Sequence, residues 1–277
     1  TEEQKEKYLR PLLDGRYLGA FGLTEPSAGS DAASQNTFAV KDGDSYILNG
    51  SKIFITNSGY ADVYTIFAMT DKSQGTRGIS CFIVEMDFEC FSQGTPFRKM
   101  GIRAACVREL IFENLRVPAE NLLGKEGRGF GIAMKALDGG RIGIASQAVG
   151  IAQGAFDKTV TYVKERKQFG KPLAALQNTQ FTIADMATRI EAARLLTWEA
   201  AMAADAGEPY STKAAMAKLF ASETASYVTN RAVQMMGGYG YMREYSVERM
   251  MRDAKITEIY EGTSEIMKMV ISGSLLR

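Results

Sequence analysis

Histidine is absent from the 277-residue sequence, and this absence restricts the chemistry that the chain can perform. Nucleophilic Ser-His-Asp and Cys-His machinery and histidine-ligated metal sites are excluded. Cys81, Cys90 and Cys106 have no metal-like spacing, so we expect small core residues and no bound metal. An acid–base catalyst in this chain must therefore be a carboxylate, a lysine, a tyrosine or a cysteine.

A glycine-rich stretch, GKEGRGFG from Gly124 to Gly131, is where a phosphate-binding loop would be sought. Its spacing does not give GxGxxG, and it does not open a βαβ unit. No Walker A sequence occurs in the chain. We therefore expect neither a Rossmann nicotinamide site nor a P-loop, and we interpret the stretch as a turn into the first long helix.

The net charge of the chain is close to zero and does not predict a charged partner. Hydrophobic residues make up 45% and charged residues 23%, a soluble globular profile. The 33 basic and 32 acidic residues leave a net charge of +1, so neither nucleic acid nor an anionic membrane is an expected partner. No apolar run is long enough to span a bilayer. The three cysteines fit a reducing compartment, so we expect a cytoplasmic location in bacteria or the mitochondrial matrix in a eukaryote.

The elements that must position a catalytic group fall into two regions of different pattern. From about Tyr17 to Pro118, short β-rich runs such as TFAV, KIFIT and ISCFIVE are separated by Gly, Asp, Asn and Ser. Because no helical stretch lies between these runs, they predict an antiparallel β-sheet or barrel. Asn49-Gly50 lies between two such runs and predicts the turn of a hairpin.

After Glu126 the pattern becomes helical, and the stretches are rich in Ala, Met and Leu. We expect helices at about residues 128–165, 174–206, 212–236, 246–254 and 264–276. In the second stretch, apolar residues recur every three or four positions and predict one buried face, made of Ile183, Met186, Ile190, Ala193 and Leu196. Long helices with short connections predict a bundle, so the expected fold class is α+β, with a β domain followed by helices.

Five segments together carry a family resemblance. They are FGLTEPSAGSD (residues 21–31), KIFITN (52–57), RKQFG (166–170), QMMGG (234–238) and MRDAKITEIYEGTSEI (251–266). Their order and separations resemble those of the acyl-CoA dehydrogenases, and most of all the bacterial short-chain, butyryl-CoA-type members. The resemblance covers nearly the whole chain.

The resemblance implies an arrangement of three domains. Residues 1–14, which have helical spacing, resemble the end of an N-terminal helical domain, most of which lies outside this sequence. Residues 15–120 would be the middle, flavin-binding β domain. Residues 121–277 would be a C-terminal four-helix-bundle domain that carries the catalytic base and the oligomer contacts.

The resemblance also implies an activity, the α,β-dehydrogenation of a short-chain acyl-CoA to a trans-2-enoyl-CoA. FAD would accept the hydride, electrons would pass to electron-transfer flavoprotein, and Glu261 would be the base that removes the α-proton. A carboxylate suits this role because the exclusion of water raises its pKa and strengthens it as a base. The implied substrate-binding residues are Ser30, Asp138, Arg141, Tyr260 and Gly262.

The implied cofactor contacts come from several segments. On the sheet they are Leu23, Thr24, Phe54 and Thr56, with Phe54 standing where many members have Trp. Residues expected to reach the FAD of a neighbouring subunit are Arg166, Gln168, Phe169, Gln234, Gly237 and Gly238. Thr263 and Glu265 would seat the diphosphate and ribose region. A homotetramer, organised as a dimer of dimers, is therefore expected.

Two other interpretations fit the same residues. The site could run in reverse, as an enoyl-CoA reductase within an electron-bifurcating complex, since the chemistry is reversible. The chain could also be a flavoprotein fragment that folds and oligomerises without turning over substrate, although the retained Glu261 argues against this. An acyl-CoA oxidase is disfavoured because those chains are usually much longer.

Overall fold

The structure is a computed structural model that describes residues 1–276, so Arg277, the last residue of the predicted helical domain, lies outside the described residues. The α-carbons cluster into two compact units. The sheet unit comprises Thr1–Lys99 and Arg103–Lys135, and the helical unit comprises Met100–Ile102 and the chain from Ala136 onward. The predicted α+β class, a β-sheet followed by a helical bundle, is confirmed. The domain boundaries predicted after residues 14 and 120 stay a prediction.

The sheet unit begins with a short helical segment. It consists of α1 (Glu2–Gln4), a π-helical turn (Lys5–Leu9) and α2 (Arg10–Leu13). Tyr8 is buried in this segment and packs against strands of the sheet. The helical spacing predicted for the first residues is therefore confirmed, and the segment is anchored to the sheet.

Seven strands form one sheet in the sheet unit. They are β1 (Gly19–Gly22), β2 (Phe38–Asp42), β3 (Ser45–Thr56), β4 (Val63–Met69), β5 (Ile79–Glu85), β6 (Phe91–Gln93) and β7 (Val107–Pro118). The order is β1-β4-β2-β3-β7-β6, with β5 also paired to β4. Most neighbours are antiparallel, as predicted, but β4 pairs in parallel with β1 and briefly with β2, which makes the sheet mixed.

The hairpin predicted at Asn49-Gly50 is wrong, because β3 runs without a break through both residues. Gly50 has a φ of +136°, and a Cβ there would lie 2.7 Å from the Cα of Thr37. The glycine thus serves a close approach within the sheet and a bulge in the pairing with β7, not a turn. The turn between β2 and β3 lies instead at residues 43–44, where Gly43 has a φ of +61°.

The helical unit contains the long helices that the sequence predicts. They are α3 (Gly129–Glu165, which starts in the sheet unit), α4 (Gln177–Asp205), α5 (Ser211–Met236), α7 (Val247–Lys255) and α8 (Ser264–Leu275). A short helix that the sequence does not predict, α6 (Gly238–Tyr241), lies between α5 and α7. Two short strands, β8 (Lys167–Gln168) and β9 (Lys171–Pro172), form a hairpin between α3 and α4. The buried face predicted for α4 is confirmed, with Met186, Ile190 and Ala193 fully or almost fully buried.

Alanines dominate the core of the helical unit. On α5, Ala214, Ala217, Ala221 and Ala225 are fully buried and recur every three or four residues. Small side chains let helix backbones approach closely, and α5 packs against α4, α7 and α8. One position on the buried side of α5 breaks this pattern, because Lys218 is also fully buried.

Residues 1–276 contain no helix whose length and hydropathy would let it span a bilayer. Within the same residues, no group of three or more Cys, Asp or Glu side chains is arranged to hold a metal ion.

Candidate active site

Glu261 lies in the short loop that joins a 3-10 turn (Ile256–Glu258) to α8. Its φ is +56°, a left-handed conformation that costs a residue with a side chain about 1–2 kcal/mol. Gly262 follows with a φ of +96°, and a Cβ there would lie 2.6 Å from the Cε of Met267. The surrounding structure must therefore hold this loop, and the loop fixes the direction of the Glu261 side chain.

The carboxylate of Glu261 is half-buried in the helical unit. It lies against α3 at Gly140, where an added Cβ would be 2.5 Å from Oε2 of Glu261. Burial raises the pKa of the Glu261 carboxyl, and the positive charges of Arg141 and Lys218 oppose that rise. A desolvated carboxylate with a raised pKa, kept ionisable by two cations, has the properties of a general base.

Arg141 and Asp138 form a buried pair on α3 beside that carboxylate. Nη1 of Arg141 donates to Oδ1 of Asp138 at 2.6 Å, and the hydroxyl of Ser211 donates to the same oxygen at 2.9 Å. Arg141 is only 5% exposed, and its Nε has no hydrogen-bond partner among the described residues. The buried guanidinium thus carries an N–H donor that no described residue satisfies.

Lys218 reaches the same loop from α5. Its Nζ donates to the carbonyl oxygen of Gly262 at 2.6 Å. Burial and the nearby Arg141 lower the pKa of Lys218 to about 8, while nearby carboxylates, Glu261 among them, act in the opposite direction. The loop that carries Glu261 is therefore hydrogen-bonded, through its backbone, to a buried ammonium group.

The residues on either side of Glu261 are tied to neighbouring helices. The hydroxyl of Tyr260 donates to Oε1 of Gln147 on α3, and burial raises the pKa of Tyr260. Oγ1 of Thr263 caps α8 by accepting from the backbone N–H of Ile266 at 3.3 Å. Glu265 is exposed in the first turn of α8, a helix end whose free N–H groups suit an anion.

RKQFG and QMMGG, far apart in the chain, come together at a second location in the helical unit. Arg166 and Gln168 from the first and Gly237 and Gly238 from the second line one cavity of about 430 Å³. The guanidinium of Arg166 lies 5.3 Å from the ring centroid of Tyr239, which also lines the cavity. A cation, an aromatic ring and glycine backbone thus converge on one recess.

Two predicted residues of these motifs do not line that cavity. Phe169 is 93% exposed at the tip of the β8–β9 hairpin, where its φ is +53° and that of Gly170 is +75°. Positive φ at both turn residues is typical of a type I′ turn. Gln234 is also exposed, near the end of α5. Both side chains are therefore exposed to solvent and are not part of the recess in their own chain.

In the sheet unit, the four predicted cofactor residues lie on two adjacent segments. The backbone N–H of Ile53 donates to the carbonyl of Thr24 at 2.9 Å, which joins the segment of Leu23 and Thr24 to β3. Phe54 is 63% exposed at a bulge of β3 with a φ of +60°, and Thr56 is exposed two residues on. The structure thus displays an aromatic ring and a hydroxyl beside the Thr24 segment.

A buried ionic network underlies these two segments. Nζ of the fully buried Lys52 donates to Oε1 of Glu25 at 2.7 Å, to Oε1 of Gln35 at 2.9 Å and to the carbonyl of Leu23 at 3.1 Å. The Glu25 carboxylate also accepts from the backbone N–H groups at residues 36 and 37. The network fixes the backbone on which Leu23 and Thr24 lie.

Comparison with known proteins identifies the family of the chain. Residues 20–115 match the family profile described as "Acyl-CoA dehydrogenase, middle domain", and residues 127–276 match "Acyl-CoA dehydrogenase, C-terminal domain". The chain belongs to the acyl-CoA dehydrogenase family. The resemblance inferred from the five sequence segments is thereby confirmed.

Individual acyl-CoA dehydrogenase relatives show how similar the chain is. It is 60% identical to a short-chain specific acyl-CoA dehydrogenase of Clostridium acetobutylicum, covering 100% of this chain and 73% of that protein. The solved structure of butyryl-CoA dehydrogenase from Megasphaera elsdenii superposes with a TM-score of 0.99 at 57% identity, with coverage of 100% and 73%. A subunit of the caffeyl-CoA reductase–Etf complex of Acetobacterium woodii is 52% identical, again covering 100% of this chain and 73% of that protein.

Within this acyl-CoA dehydrogenase fold, the predicted site residues form separate groups. Asp138, Arg141, Tyr260, Glu261 and Gly262 come together around one loop. Arg166, Gln168, Gly237 and Gly238 share a cavity, as described above. Ser30 is exposed in the loop after Leu23 and has no hydrogen bond among the described residues.

Sequence reasoning missed the two buried lysines of this acyl-CoA dehydrogenase chain. For Lys218 a signal exists, because a lysine stands among alanines that recur every three or four residues. For Lys52 the signal is weaker. Lys52 lies in the strand SYILNGSKIFIT, in which bulges shift the register. The alternation of side chains along this strand therefore does not reveal whether Lys52 faces the core or the solvent.

Proposed function

We propose that the chain is an FAD-dependent acyl-CoA dehydrogenase that oxidises a short-chain acyl-CoA to a trans-2-enoyl-CoA. The observation that carries this proposal is the half-buried Glu261 carboxylate, held on a left-handed residue and faced by Arg141 and Lys218. The short-chain and butyryl-CoA names of the similar proteins favour a short acyl chain.

The residues present fit FAD. The cavity lined by Arg166 combines a planar cation suited to a diphosphate with an aromatic ring and glycine backbone that allows close approach. On the sheet unit, the exposed Phe54 ring and the hydroxyls of Thr24 and Thr56 suit an aromatic ring system with polar edges. Leu23 would contribute its backbone N–H, and Thr263 and Glu265 would seat the diphosphate and ribose region. When bound, FAD supplies the acceptor for the hydride that leaves Cβ of the substrate.

The chain's own part in the reaction is the removal of the α-proton. Glu261 must be ionised to accept that proton, and the cations Arg141 and Lys218 favour the ionised form. Burial acts in the other direction and makes the carboxylate a stronger base once it is ionised. The backbone N–H of Glu261 would donate to the thioester carbonyl, where negative charge develops as the proton leaves.

Substrate binding is assigned to residues around the loop and on the sheet unit. The buried guanidinium of Arg141, held by Asp138, keeps one donor without a protein partner in residues 1–276 and would meet the polar CoA arm. Tyr260 and Gly262 would contact the thioester end, where glycine allows close approach. Ser30, exposed in its loop, would donate to the CoA portion.

We propose electron-transfer flavoprotein as the redox partner and a homotetramer, organised as a dimer of dimers, as the assembly. The relative in the caffeyl-CoA reductase–Etf complex supports the partner, and it also supports the reverse, reductase direction as the second candidate function. Phe169 and Gln234, which are exposed and do not line the recess of their own chain, support a role toward the FAD of a neighbouring subunit. The bacterial relatives favour the cytoplasm.

The first test is the substitution Glu261→Gln, with Glu258→Gln as the matched control. In the purified FAD-loaded protein, we expect butyryl-CoA to reduce the flavin and to bleach its visible absorption band in the absence of oxygen. Because the amide cannot accept the α-proton, Glu261→Gln should retain flavin but slow the bleaching by about 10²–10⁴-fold. Glu258→Gln, three residues earlier in an ion pair with Lys255, should change the rate little.

Stopped-flow absorbance at the flavin band measures these rates. Unchanged reduction in Glu261→Gln would remove that residue from the mechanism. A colourless protein that takes up no added FAD would instead favour the inert-fragment interpretation.

A further inference from the structure

Lys218 is a buried cation whose charge the proposed function uses, but to which it assigns no part in holding the Glu261 loop. Its side chain is fully buried on α5, between the alanines that pack this helix into the core. Lysines are rarely fully buried without a partner, because an ammonium group loses its hydration there. An apolar side chain at this position would pack without that penalty, so the charge calls for a specific reason.

Among the described residues, the side chain of Lys218 makes one hydrogen bond, and its acceptor indicates that reason. Nζ donates to the carbonyl oxygen of Gly262 at 2.6 Å, and no carboxylate forms an ion pair with Nζ in the part of the chain that is described. The bonded carbonyl belongs to the residue directly after Glu261. That carbonyl lies in the peptide between Gly262 and Thr263, so the bond anchors the loop directly after the left-handed Glu261. Without this anchor the loop, and with it the Glu261 carboxylate, would lose part of its restraint.

Charged groups on four nearby segments act on the protonation of Lys218. Glu258 in the 3-10 turn, Glu261 in the loop and Glu265 in the first turn of α8 favour its protonated form, and Arg141 on α3 disfavours it. In turn, the positive charge of Lys218 favours the ionised form of Glu261. The lysine is thus coupled to the base by a backbone bond and by charge.

We propose that Lys218 is the positioning residue of the base. Its ammonium holds the Gly262 carbonyl and so restrains the loop that carries Glu261, and its charge stabilises the Glu261 carboxylate. The inference rests on the function proposed above for Glu261. The chemistry at Lys218 involves no covalent change.

The test compares Lys218→Met with Lys218→Gln and with a surface control. Met removes both the donor and the charge at similar length, whereas Gln removes the charge but retains an N–H donor. Lys213→Met is the control, since Lys213 lies on the same helix in a surface ion pair with Glu199 at 3.3 Å. Each variant of the full 277-residue chain is loaded with FAD and reduced anaerobically with butyryl-CoA between pH 6 and about pH 9, a range that brackets the titration of a tuned carboxylate base.

We expect Lys218→Met to slow flavin reduction by about 10–100-fold and to move its pH profile to higher pH by about one unit. The direction follows because loss of a nearby positive charge raises the pKa of a carboxyl. Lys218→Gln should recover part of the rate but keep the shifted profile. Lys213→Met should match the parent protein in both.

A readout without substrate or FAD accompanies the kinetics. Infrared titration of the carboxyl stretch that disappears in Glu261→Gln reports the protonation of Glu261 directly, and Lys218→Met should move that titration to higher pH. A slower reduction with an unmoved pH profile and an unmoved infrared titration would reduce Lys218 to a packing residue and overturn the proposal. If Lys218→Met does not fold, Lys218→Gln decides, because it must still shift both titrations.

The outcomes separate this inference from the proposed function. Undiminished reduction in Glu261→Gln would defeat the function itself. Strong loss in Glu261→Gln together with unshifted titrations in both Lys218 variants would defeat only the role of Lys218.

Discussion

The two buried lysines, one in each unit, make an instructive comparison. Lys52 on β3 and Lys218 on α5 are both fully buried, and burial lowers the pKa of each to about 8. Their partners differ. Lys52 donates to the carboxylate of Glu25 at 2.7 Å, whereas Lys218 donates to the backbone carbonyl of Gly262 at 2.6 Å.

Lys52 belongs to a closed network, in which an ion pair compensates its charge, whereas Lys218 does not. Glu25 is itself buried and is satisfied by Lys52 and by two backbone N–H groups, and these bonds outweigh burial to keep the pKa of Glu25 low. The charge of Lys52 is therefore compensated within this network. Lys218 has carboxylates around it but forms no ion pair within residues 1–276, so its charge acts on a group with a raised pKa, Glu261. Burial of a charge alone thus does not reveal its role, but the chemistry of its partner does.

The largest effect that this comparison predicts is on stability in the sheet unit. Lys52→Met should lower the free energy of unfolding by about 3–5 kcal/mol, because it leaves the buried Glu25 carboxylate without its cation. Urea denaturation of the parent and the variant measures this. The double variant Lys52→Met/Glu25→Gln should recover part of the loss, since no unpaired buried charge remains. A loss below about 1 kcal/mol for the single variant would contradict the closed-network interpretation.

A second, smaller effect concerns the space that the base occupies. Gly140→Ala places a Cβ where it would lie 2.5 Å from Oε2 of Glu261, so the carboxylate must move and flavin reduction should slow by about 10–100-fold. Gly143→Ala on the same helix is the control, because a Cβ there meets open space among the described residues.

Gly143→Ala should gain about 1 kcal/mol of helix stability, whereas in Gly140→Ala the contact with Glu261 should offset part of that gain. Stopped-flow reduction and thermal unfolding measure the two quantities. Equal rates for Gly140→Ala and Gly143→Ala would show that the carboxylate is not confined by α3.

A third predicted effect is a pH dependence of stability at Lys218. The folded-state pKa of about 8 lies below the ordinary value of 10.5, so the unfolded chain binds more protons between these values. The free energy of unfolding contributed by this group therefore rises with pH from about 8 to 10.5. In Lys218→Met this rise should be absent, a difference of roughly 2–3 kcal/mol between the two pH limits, since one pKa unit corresponds to about 1.4 kcal/mol. Urea denaturation at both pH values measures it, and parallel pH curves for parent and variant would contradict it.

Much of the fold could be predicted because local patterns agree with it. Apolar residues at spacings of three and four gave α4 and its buried face, and the β-rich runs gave the sheet. The Asn49-Gly50 turn failed because the same dipeptide that favours a hairpin also tolerates a bulge with a close contact, and only the neighbouring Thr37 decides between them. The parallel pairing of β1 with β4 depends on contacts distant in sequence, which no local pattern records.

For the site, the sequence could identify residue types but not their surroundings. Glu261 was found through its motif, yet its left-handed backbone and its position against Gly140 are consequences of packing between α3, α5 and α8. Lys218 lies more than forty positions earlier, and its bond to Gly262 exists only in the folded chain. Coupling of this kind depends on which helices are neighbours, so it has to be seen in three dimensions.

The alanine-lined packing of α5 has a consequence for natural variation. Since Ala217 and Ala221 flank Lys218 in a closely packed core, even one added methyl group would push α5 away from its neighbours and displace the ammonium. Inactivating variants of this chain should therefore include conservative changes at small core residues that touch neither substrate nor flavin. A clinical or evolutionary variant at such a position cannot be called harmless because it is apolar and remote from the thioester.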